Sequence, residues 1–360
     1  MTAARTQPTT SNRTSQPTVA IVGATGAVGQ EFLRVLEQRG FPMGGLRLLA
    51  SARSAGKTVD FKGQTLAIEE LTEQSFQGVD IALFSAGGSI SKKYAPAAVQ
   101  AGAVVVDNSS AFRMIDGIPL VVPEVNPDAI TAANIGLGEG QKPGIIANPN
   151  CSTIIMLLAV TPIQRAVGVK RMVVSTYQAA SGAGAAAMAE LEQQTREVLA
   201  GQKPTCNIFR QQYAFNLFSH NSDMQPNGYN QEELKMVHET HKIWSQQPGQ
   251  QTAITATCIR VPVMRAHAES INLTLNKPLT EEQARILLNN APGVSLIDDR
   301  ENNRFPTPLD ASHADDVYVG RIRHDMSQPQ GYGLDLFVCG DQVRKGAALN
   351  AVQIAELLLK

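Results

Sequence analysis

The chain is short of cysteine, of net charge and of long apolar runs, and each shortage closes off a class of function. Its four cysteines, Cys151, Cys206, Cys258 and Cys339, stand far apart and form no CxxC pair. That spacing argues against a zinc site, a redox dithiol or a disulfide framework, so no metal is expected and a reducing, cytoplasmic setting is. With 31 Lys+Arg against 32 Asp+Glu the charges nearly cancel. Neither nucleic acid nor a membrane surface is therefore indicated as a partner, and any anion site must be local. No apolar run approaches the length of a membrane span, and residues 1–17 hold no apolar signal core. That opening segment is rich in Ser, Thr and Gln and carries Arg5 and Arg13 without an acid. It reads as a disordered tail, with a short transit peptide as the alternative.

What remains is an ordinary globular composition, 43% hydrophobic over 360 residues, enough for two domains. Thr18 to Val22 is a short apolar strand that stops at Gly23, and Phe32, Leu33, Val35 and Leu36 then fall at helical spacing within Gln30 to Arg39. Leu46–Ala50, Asp80–Ser85 and Ala103–Asp107 read as further strands, with a helix over Ser91–Ala101. Strands alternating with helices predict an α/β, Rossmann-type parallel sheet over residues 18–150.

Beyond residue 151 the texture changes. A helix over Thr153–Val167 precedes a strand over Arg171–Gln178, a small-residue turn at Ser181 to Gly184 and a helix from Ala185 to about Leu199. Residues 201–230 have no clear period. Alternating runs follow at Thr252–Val263, Glu269–Leu275, Val317–His324 and Gly333–Val338. Residues 151–342 therefore read as an α+β domain with a mixed sheet. Val343–Lys360 has a helical pattern that could return to the first domain.

Gly23-Ala24-Thr25-Gly26-Ala27-Val28-Gly29 is a GxxGxxG turn between strand and helix, where backbone amides receive a pyrophosphate. At the end of the second strand, where NAD sites usually carry an acid, the chain reads Ser51-Ala52-Arg53-Ser54. An arginine flanked by hydroxyls suits a 2′-phosphate, so NADP is the expected cofactor; an exposed polar loop is the other reading. Ser85-Ala86-Gly87-Gly88 ends a third strand in small residues, as close passage of a cofactor requires. Arg113 follows the next strand and is aimed toward the carboxyl ends of the sheet, or else is a surface arginine.

Cys151 stands immediately before an apolar helical run, where backbone N–H groups and the helix dipole stabilise a thiolate. A buried structural cysteine is the plainer reading of that residue alone. Arg260 and His267 flank Pro262, which should interrupt the ladder, so strand parity cannot say whether they share a face. Asn230 and Glu233 form a box-like helix cap, which leaves Glu232 sharing a face with Lys235, three residues on; a surface ion pair is the default for such a pair.

These residues resemble the aspartate-β-semialdehyde dehydrogenases from about Thr18 to the C-terminus. The motifs that carry the resemblance are Gly-Ala-Thr-Gly-Ala-Val-Gly, Val-Val-Asp-Asn-Ser-Ser-Ala-Phe-Arg, Val-Val-Pro-Glu-Val-Asn, Asn-Pro-Asn-Cys-Ser-Thr, Tyr-Gln-Ala-Ala-Ser-Gly-Ala-Gly and Arg-Val-Pro-Val with a following histidine. The resemblance implies that Cys151 is the nucleophile, His267 the acid/base and Gln178 a substrate-positioning residue. It implies that Arg260 binds the substrate carboxylate, Glu232 its amino group, and Arg113 with Lys235 the phosphate. For the cofactor it points to Thr25, Gly26, Ala27, Val28, Arg53, Ser54, Ser181 and Gly182, with Asn350 as a weaker carry-over. It also implies a homodimer and a place in lysine, threonine, methionine and diaminopimelate biosynthesis. The implied reaction is NADP-dependent interconversion of 4-phospho-L-aspartate and L-aspartate 4-semialdehyde through a cysteine thioester. Two other readings stay open. One is N-acetyl-γ-glutamyl-phosphate reductase, whose nucleophile context resembles Pro-Gly-Cys-Tyr where this chain has Pro-Asn-Cys-Ser; the other is a non-catalytic NADP-binding sensor.

Overall fold

The computed structural model describes residues 15–359. All but the last three residues of the tail expected at 1–17 lie outside them. The chain divides into two units, one that runs to Asn148 and resumes at Asn350, and one that spans Pro149–Leu349.

The first unit is built on strands β1 (Thr18–Val22), β2 (Gly45–Ala50), β3 (Thr58–Phe61), β4 (Gln64–Glu70), β5 (Ile81–Phe84), β6 (Val104–Asp107) and β7 (Ile145–Ala147), in the order β3-β4-β2-β1-β5-β6-β7. From β4 to β7 every neighbouring pair is parallel. β1, β5 and β6 read as unbroken apolar runs because both faces of the sheet are covered, and almost every residue in them is buried. The crossover helix Ala27–Gln38 buries Phe32, Leu33, Val35 and Leu36, and Gly88–Gln100 buries Ala95 and Ala98. Both helices start three residues before the first predicted position. The glycine turns lead straight into them, whereas apolar spacing becomes visible only where side chains first pack. The all-parallel expectation also needs a correction at the edge, where β3 pairs antiparallel with β4. Lys62 and Gly63, both at positive φ (48° and 74°), make the two-residue turn that such a hairpin requires.

The second unit holds β8 (Val169–Gln178), β9 (Phe218–Ser219), β10 (Ala253–Arg260), β11 (His267–Leu275), β12 (Val294–Leu296), β13 (Val317–His324) and β14 (Gly333–Gly340), in the order β12-β13-β14-β11-β8-β10-β9. β8 and β10 are parallel and β11 runs against β8 and β14, so the sheet is mixed. Helix Cys151–Val167 packs on β8, β11, β13 and β14. It is apolar nearly all round, and residues 152 to 161 are all buried, as in a central helix.

Val343–Lys360 is not one helix. Gly346 N and Ala348 N reach back five residues, to Asp341 O and Val343 O at 3.0 Å each, which makes a wide π-type turn at Arg344–Ala348. A regular helix, Leu349–Leu357, follows. Within the first unit its last turns are held by Gln353 on Glu124 at 2.9 Å and by Arg39 on Glu356 at 2.6 Å. Among the described residues no helix is long and apolar enough to cross a membrane.

Candidate active site

In the first unit β1 lies between β2 and β5, so the chain leaves it in opposite directions and opens a crevice at the strand ends. A cavity of about 600 Å³ occurs there, lined among others by Gly23, Thr25, Gly26, Ser51, Arg53 and Ser85. Glycine is required at 23, where φ is 90° and an added Cβ would lie 2.4 Å from Ser85 O. Gly26 caps helix Ala27–Gln38 without using a side chain, which leaves the first amides of Ala27 and Val28 to an anion. Arg53 is exposed and Ser54 half-buried at the rim. Gly87, with φ of 88°, caps the next crossover helix in the same way.

The structure separates Arg113 from the surface reading, since it is buried with Nε donating to Asn148 O at 2.9 Å and Nη2 to Asn108 O at 2.8 Å. Asn350 is also buried, and its Nδ2 donates to Asn148 Oδ1 at 2.7 Å and Val121 O at 3.0 Å. Both residues thus fix the segment that leads along the chain into Cys151.

In the second unit, period-two alternation on β8 turns Met172, Val174, Thr176 and Gln178 toward the helix layer. The same face carries Ala256, Cys258 and Arg260 on β10 and His267, Glu269 and Ile271 on β11, all buried. The apolar row becomes polar at one end of the sheet, and the candidate site lies at that end. Strand parity across Pro262 is thereby resolved. Register pairs Arg260 with Gln178 on one side of β8, and pairing of Ala268 with Tyr177 carries His267 to the same end on the other side.

Cys151 is the first residue of its helix, two positions earlier than the apolar run predicts. The reason is Asn150, whose Oδ1 accepts from Ser152 N at 3.0 Å and Thr153 N at 3.2 Å. The thiol is half-exposed, which removes the buried-structural reading for this cysteine. Cys258 and Cys339 do fit it, and burial pushes both thiols well up.

Asn150 also reaches sideways, its Nδ2 donating to Glu232 Oε1 at 2.8 Å. Glu232 is no surface pair: it is buried, accepts from Lys235 Nζ at 3.0 Å and lies 3.3 Å from Gln178 Nε2. Burial alone would raise its carboxyl, but Lys235 and the Asn150 hydrogen bond reverse this and hold it below the usual carboxylate range. The predicted cap behind it is present, with Asn230 and Glu233 exchanging hydrogen bonds of 2.9 and 3.0 Å.

His267 is fully buried, and burial followed by the Arg260 charge pushes it down to about 3. Its Nδ1 accepts from Ala179 N at 3.1 Å, so the ring proton of the neutral side chain is on Nε2. Nε2 has no hydrogen-bond partner among the described residues. Gly182 sits where a Cβ would come within 3.0 Å of Arg260 Nη1 and 3.1 Å of His267 Nε2. The neighbouring Ser181 Oγ accepts from Gln342 Nε2. Gly346, in the π-type turn, lies so close that a Cβ on it would be 2.7 Å from that of Cys151.

Sequence reasoning missed Asn150, Ser152, whose Oγ accepts from Gln178 Nε2 at 3.2 Å, His220, whose Nε2 accepts from Arg260 Nη2 at 2.8 Å, and Gly346. A cap residue directly before a helix could have exposed Asn150. His220 lies in the aperiodic stretch, and Gly346 contacts the thiol only through tertiary packing, so neither carries a local signal.

Comparison with known proteins gives a consistent picture. Residues 18–133 match the family described as semialdehyde dehydrogenase, NAD binding domain, and residues 160–345 the semialdehyde dehydrogenase dimerisation domain. The chain is 54% identical to an aspartate-semialdehyde dehydrogenase of Synechocystis sp. over 95% of its length and 97% of the relative. Against that of Bacillus subtilis it is 48% identical over 95% and 97% of the two chains. Among solved structures, aspartate semialdehyde dehydrogenase II of Vibrio cholerae complexed with ASA superposes with a TM-score of 0.88 at 48% identity, covering 95% of this chain and 98% of that one. The Candida albicans enzyme with NADP does so with a TM-score of 0.73 at 25% identity, covering 96% and 98%.

Proposed function

The chain belongs to the aspartate-semialdehyde dehydrogenase family, and on that premise we propose that Cys151 carries the aspartyl group as a thioester between an acyl phosphate and an aldehyde. The activity is that of an aspartate-semialdehyde dehydrogenase, an enzyme of amino-acid biosynthesis. The observation that carries the thioester reading is the half-exposed thiol at the first position of a capped helix, with Glu232, Gln178, Arg260 and His267 polar and buried in the same unit.

In the biosynthetic direction the Cys151 thiolate attacks the acyl carbon of 4-phospho-L-aspartate; the C–O bond to phosphate breaks, and inorganic phosphate leaves with the electron pair. Arg113 in the first unit and Lys235 in the second each offer a cation to a phosphate. Arg260 takes the α-carboxylate, and ionised Glu232 takes the α-ammonium. A free ammonium is what favours this substrate over an N-acetylated one, because an acetylated nitrogen has no charge to set against a buried carboxylate. A nicotinamide dinucleotide supplies the hydride that reduces the thioester. The Nε2–H of neutral His267 donates to the carbonyl oxygen as it gains charge. The adduct then collapses, its oxygen re-forming the aldehyde and the C–S bond returning its electrons to Cys151. In the reverse direction the same groups serve the same atoms.

The residues present fit the dinucleotide, since Gly23 admits close backbone approach and the helix after Gly26 offers unspent amides. NADP is the form proposed, on Arg53 with Ser51 and Ser54, with Ser85 and Gly87 at strand and helix ends of the same unit; Ser181 and Gly182 are given to the cofactor by the family resemblance alone. We also propose a homodimer, supported by the dimerisation-domain match and by half-buried Tyr177, Tyr318 and Phe337 on the sheet face opposite the site. The test is phosphate-dependent reduction of NADP⁺ with aspartate semialdehyde and with N-acetylglutamate semialdehyde. Cys151→Ala should lower the first by at least about a thousandfold while cofactor binding persists. Turnover near wild type would remove the thioester.

A further inference from the structure

His220 is absent from the roles above, yet it touches the proposed carboxylate ligand. Arg260 Nη2 lies 2.8 Å from His220 Nε2. A guanidinium can only donate, so Nε2 accepts and the proton of the neutral ring is on Nδ1. Nδ1 lies 3.1 Å from Ser222 Oγ and 3.2 Å from Ser222 N. The hydroxyl can take the ring proton, while the Ser222 N–H is aimed at the same nitrogen, so Ser222 holds this side of the ring through both its amide and its hydroxyl. The Ser222 hydroxyl in turn donates to Asn230 Oδ1 at 3.3 Å and accepts from Glu232 N at 3.1 Å. Contacts through His220 and Ser222 therefore join the guanidinium to the first turn of the helix that bears Glu232 and Lys235.

We propose that His220 is a positioning residue that sets Arg260 against Glu232, so that the carboxylate ligand and the ammonium ligand are held at one fixed spacing. The proposal rests on the reading of Arg260 as the ligand of the substrate carboxylate. Its other anchors leave the guanidinium loose. Asn221 Oδ1 and Ala179 O accept from it at 3.3 Å each, and the Phe209 ring is 5.7 Å from its centre. The 2.8 Å bond to His220 is the short one, and the segment that supplies it is itself anchored to β10, with His220 N donating to Cys258 O at 2.8 Å. Burial favours the neutral imidazole that such an acceptor must be; a protonated ring would turn an N–H toward the guanidinium. Discrimination follows from this arrangement. Aspartate semialdehyde carries a carboxylate and an ammonium on one carbon, and two ligands held at one spacing recognise that pair better than either charge alone.

The experiment compares His220→Ala and His220→Gln with wild type, alone and in an Arg260→Gln background, with aspartate semialdehyde as varied substrate. His220→Ala should raise KM for the semialdehyde about tenfold, the size of one hydrogen bond to a charged group, with kcat within about threefold. KM for phosphate and for NADP⁺ should not move. His220→Gln keeps an acceptor for Arg260 and a donor for Ser222, and should restore KM. In the Arg260→Gln background His220→Ala should add nothing. Succinate semialdehyde, which lacks the ammonium, should lose less than aspartate semialdehyde, because only one of the two spaced charges remains. If Arg260→Gln leaves KM unchanged, the carboxylate reading itself fails. If Arg260→Gln raises KM while His220→Ala does not, or if the two effects multiply, the positioning role is overturned. Should the alanine variant not fold, His220→Leu keeps the volume and gives the same comparison.

Discussion

Asn150 Nδ2 donates to Glu232 Oε1 across 2.8 Å while Oδ1 of the same side chain caps the helix that starts at Cys151. One amide thus ties the nucleophile's helix terminus to the buried carboxylate proposed for the substrate ammonium. Asn150→Ala should cost about 1 kcal/mol for the lost cap. It should also slow alkylation of Cys151 at pH 7, since a frayed first turn stabilises less thiolate. Asn150→Asp keeps the cap but sets a second carboxylate against Glu232, so it should alkylate normally and bind aspartate semialdehyde poorly. Iodoacetamide inactivation rates and KM measure the two effects. Equal behaviour of both variants would break the link between cap and carboxylate.

The parts of this arrangement that local patterning controls were legible in the sequence. β1, the glycine turn and the following helix were readable because burial on both faces leaves an unbroken apolar run beside a turn that needs glycine. The cap of Asn230 with Glu233 was readable because a capping box is a four-residue motif. Glu232 itself was not, because its neighbours in sequence look like a surface pair and its burial comes from Asn150 and Gln178, 82 and 54 residues away. The partner of Arg260, His220, comes from 40 residues away in a segment with no period to read. The roles of Cys151, Arg260 and His267 rested on the family resemblance, since their own sequence positions left each with an ordinary structural alternative.

Arg53 bears on the choice of cofactor. It stands at the rim of the cavity at the ends of β1 and β2, exposed and with no acid in the segment 51–54. Arg53→Ala should weaken NADP⁺ by about tenfold to a hundredfold, the range of a charge-assisted bond to phosphate, and leave NAD⁺ within about twofold. Titration of each cofactor by fluorescence checks this. A parallel loss for both would take the 2′-phosphate away from Arg53.

His267 donates from Nε2 as a neutral ring, and burial with the Arg260 charge holds it near 3. Its protonation should therefore not shape the pH profile of kcat between about pH 5 and 8, unlike an ordinary histidine that titrates near 6.5. His267→Asn should lower kcat by about a hundredfold to a thousandfold with little change in KM, as for the loss of one donor to a developing oxyanion. A wild-type limb near pH 6.5 that the asparagine variant lacks would show a titrating base instead.

Glu269 gives the fold a pH dependence of its own. It is fully buried two residues beyond His267, and neither carboxyl oxygen has a hydrogen-bond partner among the described residues. Burial raises its carboxyl well above the ordinary 4.5, so the folded protein holds it as the neutral acid. For a group raised on folding, the stabilisation is complete below the unfolded value and drains away as pH rises toward the folded one, because the unfolded chain releases the proton more readily. Glu269→Gln has the same shape and cannot titrate. Urea unfolding at pH 4.5 should give the two proteins similar stability. At pH 6, 7.5 and 9 the variant should gain steadily on wild type until the folded carboxyl ionises. Two curves that stay parallel from pH 4.5 to 9 would mean that Glu269 is already ionised in the native state.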